Sequence, residues 1–63
     1  MLRKKKLYFV RLFSMSNNVD IQELERIKEA MVNNETPKVT ILAQREFMDR
    51  GGNVFVYLEW TEG

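Results

Sequence analysis

The sequence predicts an α+β fold, with one helix packed on one face of a three-stranded antiparallel sheet in the order 1-3-2. Three observations carry this. Three stretches are rich in β-branched and aromatic residues. One stretch of helical period separates the first from the second. Adjacent glycines, Gly51 and Gly52, join the second to the third. The element order is therefore β-α-β-β. The helix returns the chain, so the first two strands point the same way, and the hairpin reverses the third. Placing the third strand in the middle makes every pair antiparallel. A right-handed crossover then sets the helix on one face.

The chain of 63 residues is read as one small domain, with residues 1–6 as a basic leader. Arg3, Lys4, Lys5 and Lys6 fit a solvated run that keeps a hydrophobic edge strand soluble. Arg11 interrupts the apolar stretch that follows, and no small-residue cleavage site appears, so a signal peptide is rejected.

Leu7 to Phe13 form the first strand. Leu7, Phe9 and Phe13 share one face with Arg11; Tyr8, Val10 and Leu12 form the other. Ser14 to Asn18 have loop chemistry. The helix follows. Asp20 is expected to cap it, with Glu23 three residues on as in a capping box, and Val19 is placed to staple against Leu24. Ile21, Leu24, Ile27, Ala30 and Met31 mark its buried stripe. Asn33 and Asn34 end it, and Pro37 prevents its resumption.

Lys38 to Phe47 form the second strand, with Val39, Ile41 and Ala43 on one face and Thr40, Leu42 and Gln44 on the other. Met48 to Asn53 make the hairpin connection, with Arg45 and Arg50 accessible near it. In the third strand Val54, Val56, Leu58 and Trp60 face one way, and Phe55, Tyr57 and Glu59 the other. Val39, Ile41, Val54, Val56 and Leu58 are the expected floor beneath the helix. Large apolar groups then remain on the side that the helix does not cover.

Composition narrows the chemistry. Hydrophobic residues are 44% and charged residues 30%, the balance of a folded domain. With no Cys and no His, thiolate sites, disulfides and imidazole chemistry have no residues to work with. No glycine-rich phosphate loop lies between a strand and a helix, and no serine has a base beside it. The reading is a non-enzyme with no cofactor and no metal. No apolar run reaches the roughly 20 residues of a membrane helix, and the lack of Cys fits a cytoplasmic protein. The net charge of +1 makes the whole chain no polycation.

Two family patterns touch the sequence. Leu7 to Leu12 resemble the first-strand motif of the RNA-recognition motif family, and Gly52 to Val56 are similar, less closely, to its third-strand motif. That resemblance implies Tyr8 and Phe55 as base-stacking residues on the open sheet face. Asn53 and Val54 depart from it, standing where the family prefers an aromatic and a small residue. The family's second helix and fourth strand also have no counterpart in these residues. The β-α-β-β order and the length are similar to those of the small oligomeric tautomerases, but Leu2 stands where that family carries its catalytic proline.

The expected function is a small non-catalytic protein-binding regulator or accessory protein, of phage or plasmid type by its size, acting as a homo-oligomer. Its contact face is Tyr8, Val10, Leu12, Leu42, Phe55 and Tyr57. A dimer packed face to face is favoured, because pairing along the first strand is expected to bring the basic leaders together. The alternative is a nucleic-acid-binding module that uses Arg3, Lys4, Lys5, Lys6, Arg11, Arg45 and Arg50 beside the aromatic face.

Overall fold

The computed structural model describes residues 5–63; Arg3 and Lys4 of the leader lie outside the described residues. The elements are β1 (Leu7–Ser14), α1 (Asn18–Val32), β2 (Val39–Met48) and β3 (Val54–Glu62). The sheet runs β1-β3-β2 with both pairings antiparallel, and α1 packs on one side of it. This is the α+β architecture that the sequence predicts.

The core joins the helix stripe to the inner sheet face. Leu24, Ile27 and Ala30 of α1 meet Phe13, Val39, Val56, Leu58 and Trp60. Phe13, Ile27 and Leu58 are fully buried. Aromatic rings of β1 also enter this floor. Phe9 stacks on Trp60 with ring centroids 5.2 Å apart, and Phe13 lies 6.1 Å from the same ring. Phe9 is paired with Trp60 across the ladder, which brings the two rings together on one face.

The start of the helix differs from expectation. Asn17, not Asp20, is the N-cap; its side-chain oxygen accepts the Val19 and Asp20 backbone N–H groups at 2.9 and 3.3 Å. Asp20 lies in the first turn and turns toward β1. Its carboxylate accepts the Ser14 backbone N–H at 2.9 Å and the Arg11 guanidinium at 2.7 Å. Meeting both a strand-end amide and a cation, the carboxylate makes two charge-assisted hydrogen bonds there. Moving the cap three residues upstream also removes the expected staple, and Val19 is exposed. Glu23 pairs with Arg26 at 3.0 Å instead of closing a capping box.

The end of the helix is as expected. Asn34 takes the left-handed conformation (φ 53°), with Glu35 N–H donating to Ala30 C=O and Asn34 N–H to Met31 C=O. This is the Schellman pattern, with asparagine in glycine's usual place.

β2 carries the second departure. Ile41 pairs with Trp60 and Ala43 with Glu59, so Leu42 is an extra residue forming a bulge. The bulge reverses the alternation beyond it. Ala43, expected beside Val39 and Ile41 under the helix, joins Glu59 on the open face, and Gln44 moves to the helix side opposite Leu58. Gln44, Glu46 and Met48, all on the helix side of this half of β2, are exposed.

Candidate functional site

The open face is built from alternate residues of all three strands. β1 supplies Tyr8, Val10 and Leu12, β3 supplies Phe55, Tyr57 and Glu59, and β2 supplies Ala43, Arg45 and Phe47 beyond the bulge. Tyr8, Val10, Leu12, Leu42 and Phe47 are each between 50% and 59% exposed, while Phe55 and Tyr57 are half-buried by their neighbours on the central strand. The register places five of the expected contact residues on this face, Tyr8, Val10, Leu12, Phe55 and Tyr57, while Leu42 is the unpaired residue of the bulge. Isolated exposed apolar residues are ordinary; here exposed and half-buried ones form a row across three strands.

Its centre is polar. Tyr8 donates its hydroxyl to one oxygen of Glu59 at 2.7 Å, and Tyr57 donates to the other. The two hydroxyls, Tyr57 first, hold the Glu59 carboxyl below the usual carboxylate range, and the Arg45 charge acts the same way. The same hydrogen bonds push both tyrosines above their ordinary value, because ionising either would break its bond to Glu59 and oppose the carboxylate. At neutral pH the centre is thus one carboxylate braced by two neutral phenols. A carboxylate kept ionised and doubly hydrogen-bonded is a weak base and a fixed anchor.

Beside this anchor, Ala43, Arg45, Phe47, Tyr57 and Glu59 line a shallow depression of about 380 Å³. Arg45 stands opposite Tyr57 in the ladder, and Phe47 opposite Phe55. Alternation along β2 predicts neither placement, because the bulge reverses it; the signal for Phe47 was limited to its size. Glu59 was legible as an outward residue of β3. Its Tyr8 partner depends on the β1–β3 register, whereas Tyr57, two residues away on the same strand, shares its face by alternation.

The basic residues are not brought together. Arg45 lies on the open face, whereas Arg11 lies on the helix side, bound to Asp20 and 4.7 Å from the centroid of the Phe13 ring. Arg50 is exposed in the hairpin turn. Lys5 lines a separate depression of about 430 Å³ with Thr36, Pro37, Lys38 and Gly63, and Lys6 is exposed just before β1.

The turn between β2 and β3 is organised by a residue that the glycine signal hid. Asp49 accepts the backbone N–H groups of Gly51 and Asn53, each at 2.9 Å, and the Asn53 side-chain amide at 3.0 Å. These donors, the Asn53 amide first, hold its carboxyl below the usual range. Gly52 takes φ +83°, the conformation that glycine adopts without strain.

Among the described residues no group of three or more acidic, His or Cys side chains could hold a metal ion, and no helix is long and apolar enough to cross a membrane. No family model matches the chain, and neither the curated proteins nor the solved structures contain a match.

Proposed function

We propose that this chain is a small non-catalytic protein-binding regulator or accessory protein, cytoplasmic and homo-oligomeric, with the open sheet face as its binding surface. One observation carries the reading: a row of half-exposed aliphatic and aromatic side chains crosses all three strands opposite the helix, around a single fixed carboxylate. Such a surface suits a protein partner, because aromatic groups supply contact area at low entropic cost and a braced anchor sets orientation. The polar groups at its centre hold one another and present no free nucleophile or base to a substrate.

The nucleic-acid alternative needs cations beside the aromatics, and on this face only Arg45 supports it among the described residues. Sedimentation at several micromolar concentrations tests the main reading, which expects a mass above that of the monomer. A monomer mass throughout overturns the homo-oligomer. Retention of a labelled single-stranded oligonucleotide at low salt, lost steeply as salt rises, replaces the protein-binding reading with the alternative.

A further inference from the structure

The sheet has two edges, and they are built differently. The β2 edge carries the Leu42 bulge, with Lys38 before the strand and Arg45 and Glu46 within it. Bulges and charges are the usual devices that stop edge-to-edge pairing. Lys5 and Lys6 stand before β1 as Lys38 stands before β2, but within its span β1 has no bulge and no unpaired charge. Its register with β3 runs from Leu7 to Ser14 without a shift, it contains no proline, and its one charge, Arg11, is bound to Asp20 of the helix. Leu7 is 58% exposed on the helix side of β1, and Tyr8, Val10 and Leu12 are at least half exposed on the other. An apolar edge of this kind offers its outward backbone N–H and C=O groups over Leu7–Phe13 as a template for another strand, while at its end the Ser14 N–H is held by Asp20.

We propose that β1 pairs antiparallel with β1 of a second copy about a two-fold axis, giving a six-stranded sheet in the order β2-β3-β1-β1-β3-β2. The inference rests on the homo-oligomeric reading above and specifies the surface involved. A two-fold axis normal to the sheet keeps each face on its own side, so it must pass through a residue opposed to its own copy. Near the middle of β1 the candidates are Phe9, Val10 and Arg11. Centring on Arg11 sets two guanidinium groups directly opposite, which is unfavourable. Centring on Phe9 sets Lys6 against Leu12 and Arg11 against Leu7, each a charge opposite an aliphatic side chain. Centring on Val10 opposes Val10 to Val10, Tyr8 to Leu12 and Leu7 to Phe13, and sets Arg11 against Phe9, an aromatic partner for the cation.

The charges agree with this register. Lys6 falls opposite Ser14 of the other copy, so the two Lys6 residues stand eight positions apart, roughly 26 Å at about 3.3 Å per residue. That exceeds the screening length of about 8–10 Å in physiological salt. The meeting of basic leaders, which the sequence suggests as an objection to pairing along β1, does not arise at Lys6 in this register. The antiparallel dimer keeps both helices on one side and leaves Phe47, Phe55 and Tyr57 of each copy facing outward for a protein partner.

The chain has no cysteine, so single introduced thiols report the register. Under mild oxidation Val10→Cys is expected to cross-link to itself. Tyr8→Cys and Leu12→Cys are each expected to stay unlinked alone, about 13 Å from their own copies along the strand, and to link when mixed. Disulfides tolerate Cα separations up to only about 7 Å, which makes the mixture specific. A dimer mass with an unlinked mixture, and self-linking of Tyr57→Cys, overturns the β1 pairing and leaves the homo-oligomer intact. A monomer mass for the unsubstituted chain overturns both. Hydrogen exchange on that chain is independent of any substitution. Slow exchange of β1 amides at high concentration, lost on dilution, is expected, and concentration-independent exchange overturns the pairing.

Discussion

Asp20 accepts the backbone N–H of Ser14 at 2.9 Å and thereby ties the first turn of α1 to the last residue of β1. The same carboxylate holds Arg11 at 2.7 Å, so one side chain fixes the angle at which the chain leaves the sheet and enters the helix. The Arg11 side chain is 42% exposed, so the ion pair itself adds little, on the order of 0.2–1 kcal/mol. The hydrogen bond to the part-buried amide is the larger contribution.

Asp20→Ala is therefore expected to cost about 1–3 kcal/mol, since it leaves the Ser14 N–H without its charged acceptor. Arg11→Met is expected to cost less than about 1 kcal/mol. Asn17→Ala, which removes the cap, is expected to cost about 0.5–2 kcal/mol. Urea denaturation of the three variants checks the order. Equal losses for Asp20→Ala and Arg11→Met would show that the ion pair, and not the amide bond, carries the effect.

Deleting Leu42 is expected to leave the face assignment of β2 unchanged. Ile41 and Ala43 already lie on opposite faces, as adjacent residues of a regular strand do, so the shortened strand keeps its pairs with Trp60 and Glu59. Cross-strand nuclear Overhauser contacts between Ile41 and Trp60 and between Phe47 and Phe55 should persist. Loss of one set with retention of the other would mean that the bulge absorbs strain that the sheet cannot otherwise relieve.

The tyrosine-braced carboxylate makes a pH prediction with a definite sign. Glu59 has its folded value depressed, so its contribution to stability is present above the unfolded carboxylate range and is lost as pH falls through the folded value. Tyr8 and Tyr57 are raised, so their contributions are present below the unfolded phenol value and are lost as pH rises through the folded values. Carbon-detected titration of the Glu59 carboxyl should move toward its ordinary value in Tyr57→Phe, and further in Tyr8→Phe/Tyr57→Phe. An unchanged midpoint in the double variant would mean that the phenols do not hold the carboxylate.

Gly52→Ala is expected to cost about 1–2 kcal/mol, because a side chain in the left-handed region meets its own backbone. Gly51→Ala is expected to cost less. Its φ is not in that region, and the added carbon approaches only the movable side chains of Asn53 and Asp49, at 3.3 and 3.4 Å. Thermal melts of the two variants compare them, and a larger loss at Gly51 would contradict this turn geometry.

Much of the fold was legible because its signals are local. Alternation in Leu7–Phe13 and Val54–Trp60 assigns both faces of β1 and β3, and the Leu24, Ile27 and Ala30 spacing assigns the buried stripe of α1. The helix and the glycine hairpin then leave the strand order 1-3-2 as the simplest sheet. Residues on the side away from the helix follow from the same alternation, so Tyr8, Val10, Leu12, Phe55 and Tyr57 could be placed on one face before any contact was known.

The tertiary structure decided what depends on partners distant in sequence. Asp20 has the residue type of a cap, and only the approach of Ser14 and Arg11 turns it toward β1 and leaves the cap to Asn17. Nothing in Ile41-Leu42-Ala43 marks a bulge. It arises where β2 must match β3, and one extra residue there reverses every side chain as far as Met48. That reversal puts Arg45 and Phe47 on the open face, and the β1–β3 register brings the Tyr8 hydroxyl to Glu59 from 51 residues away. Periodicity reports which side of its own strand a residue occupies. Register and bulges, set by cross-strand hydrogen bonding, decide which residues meet there.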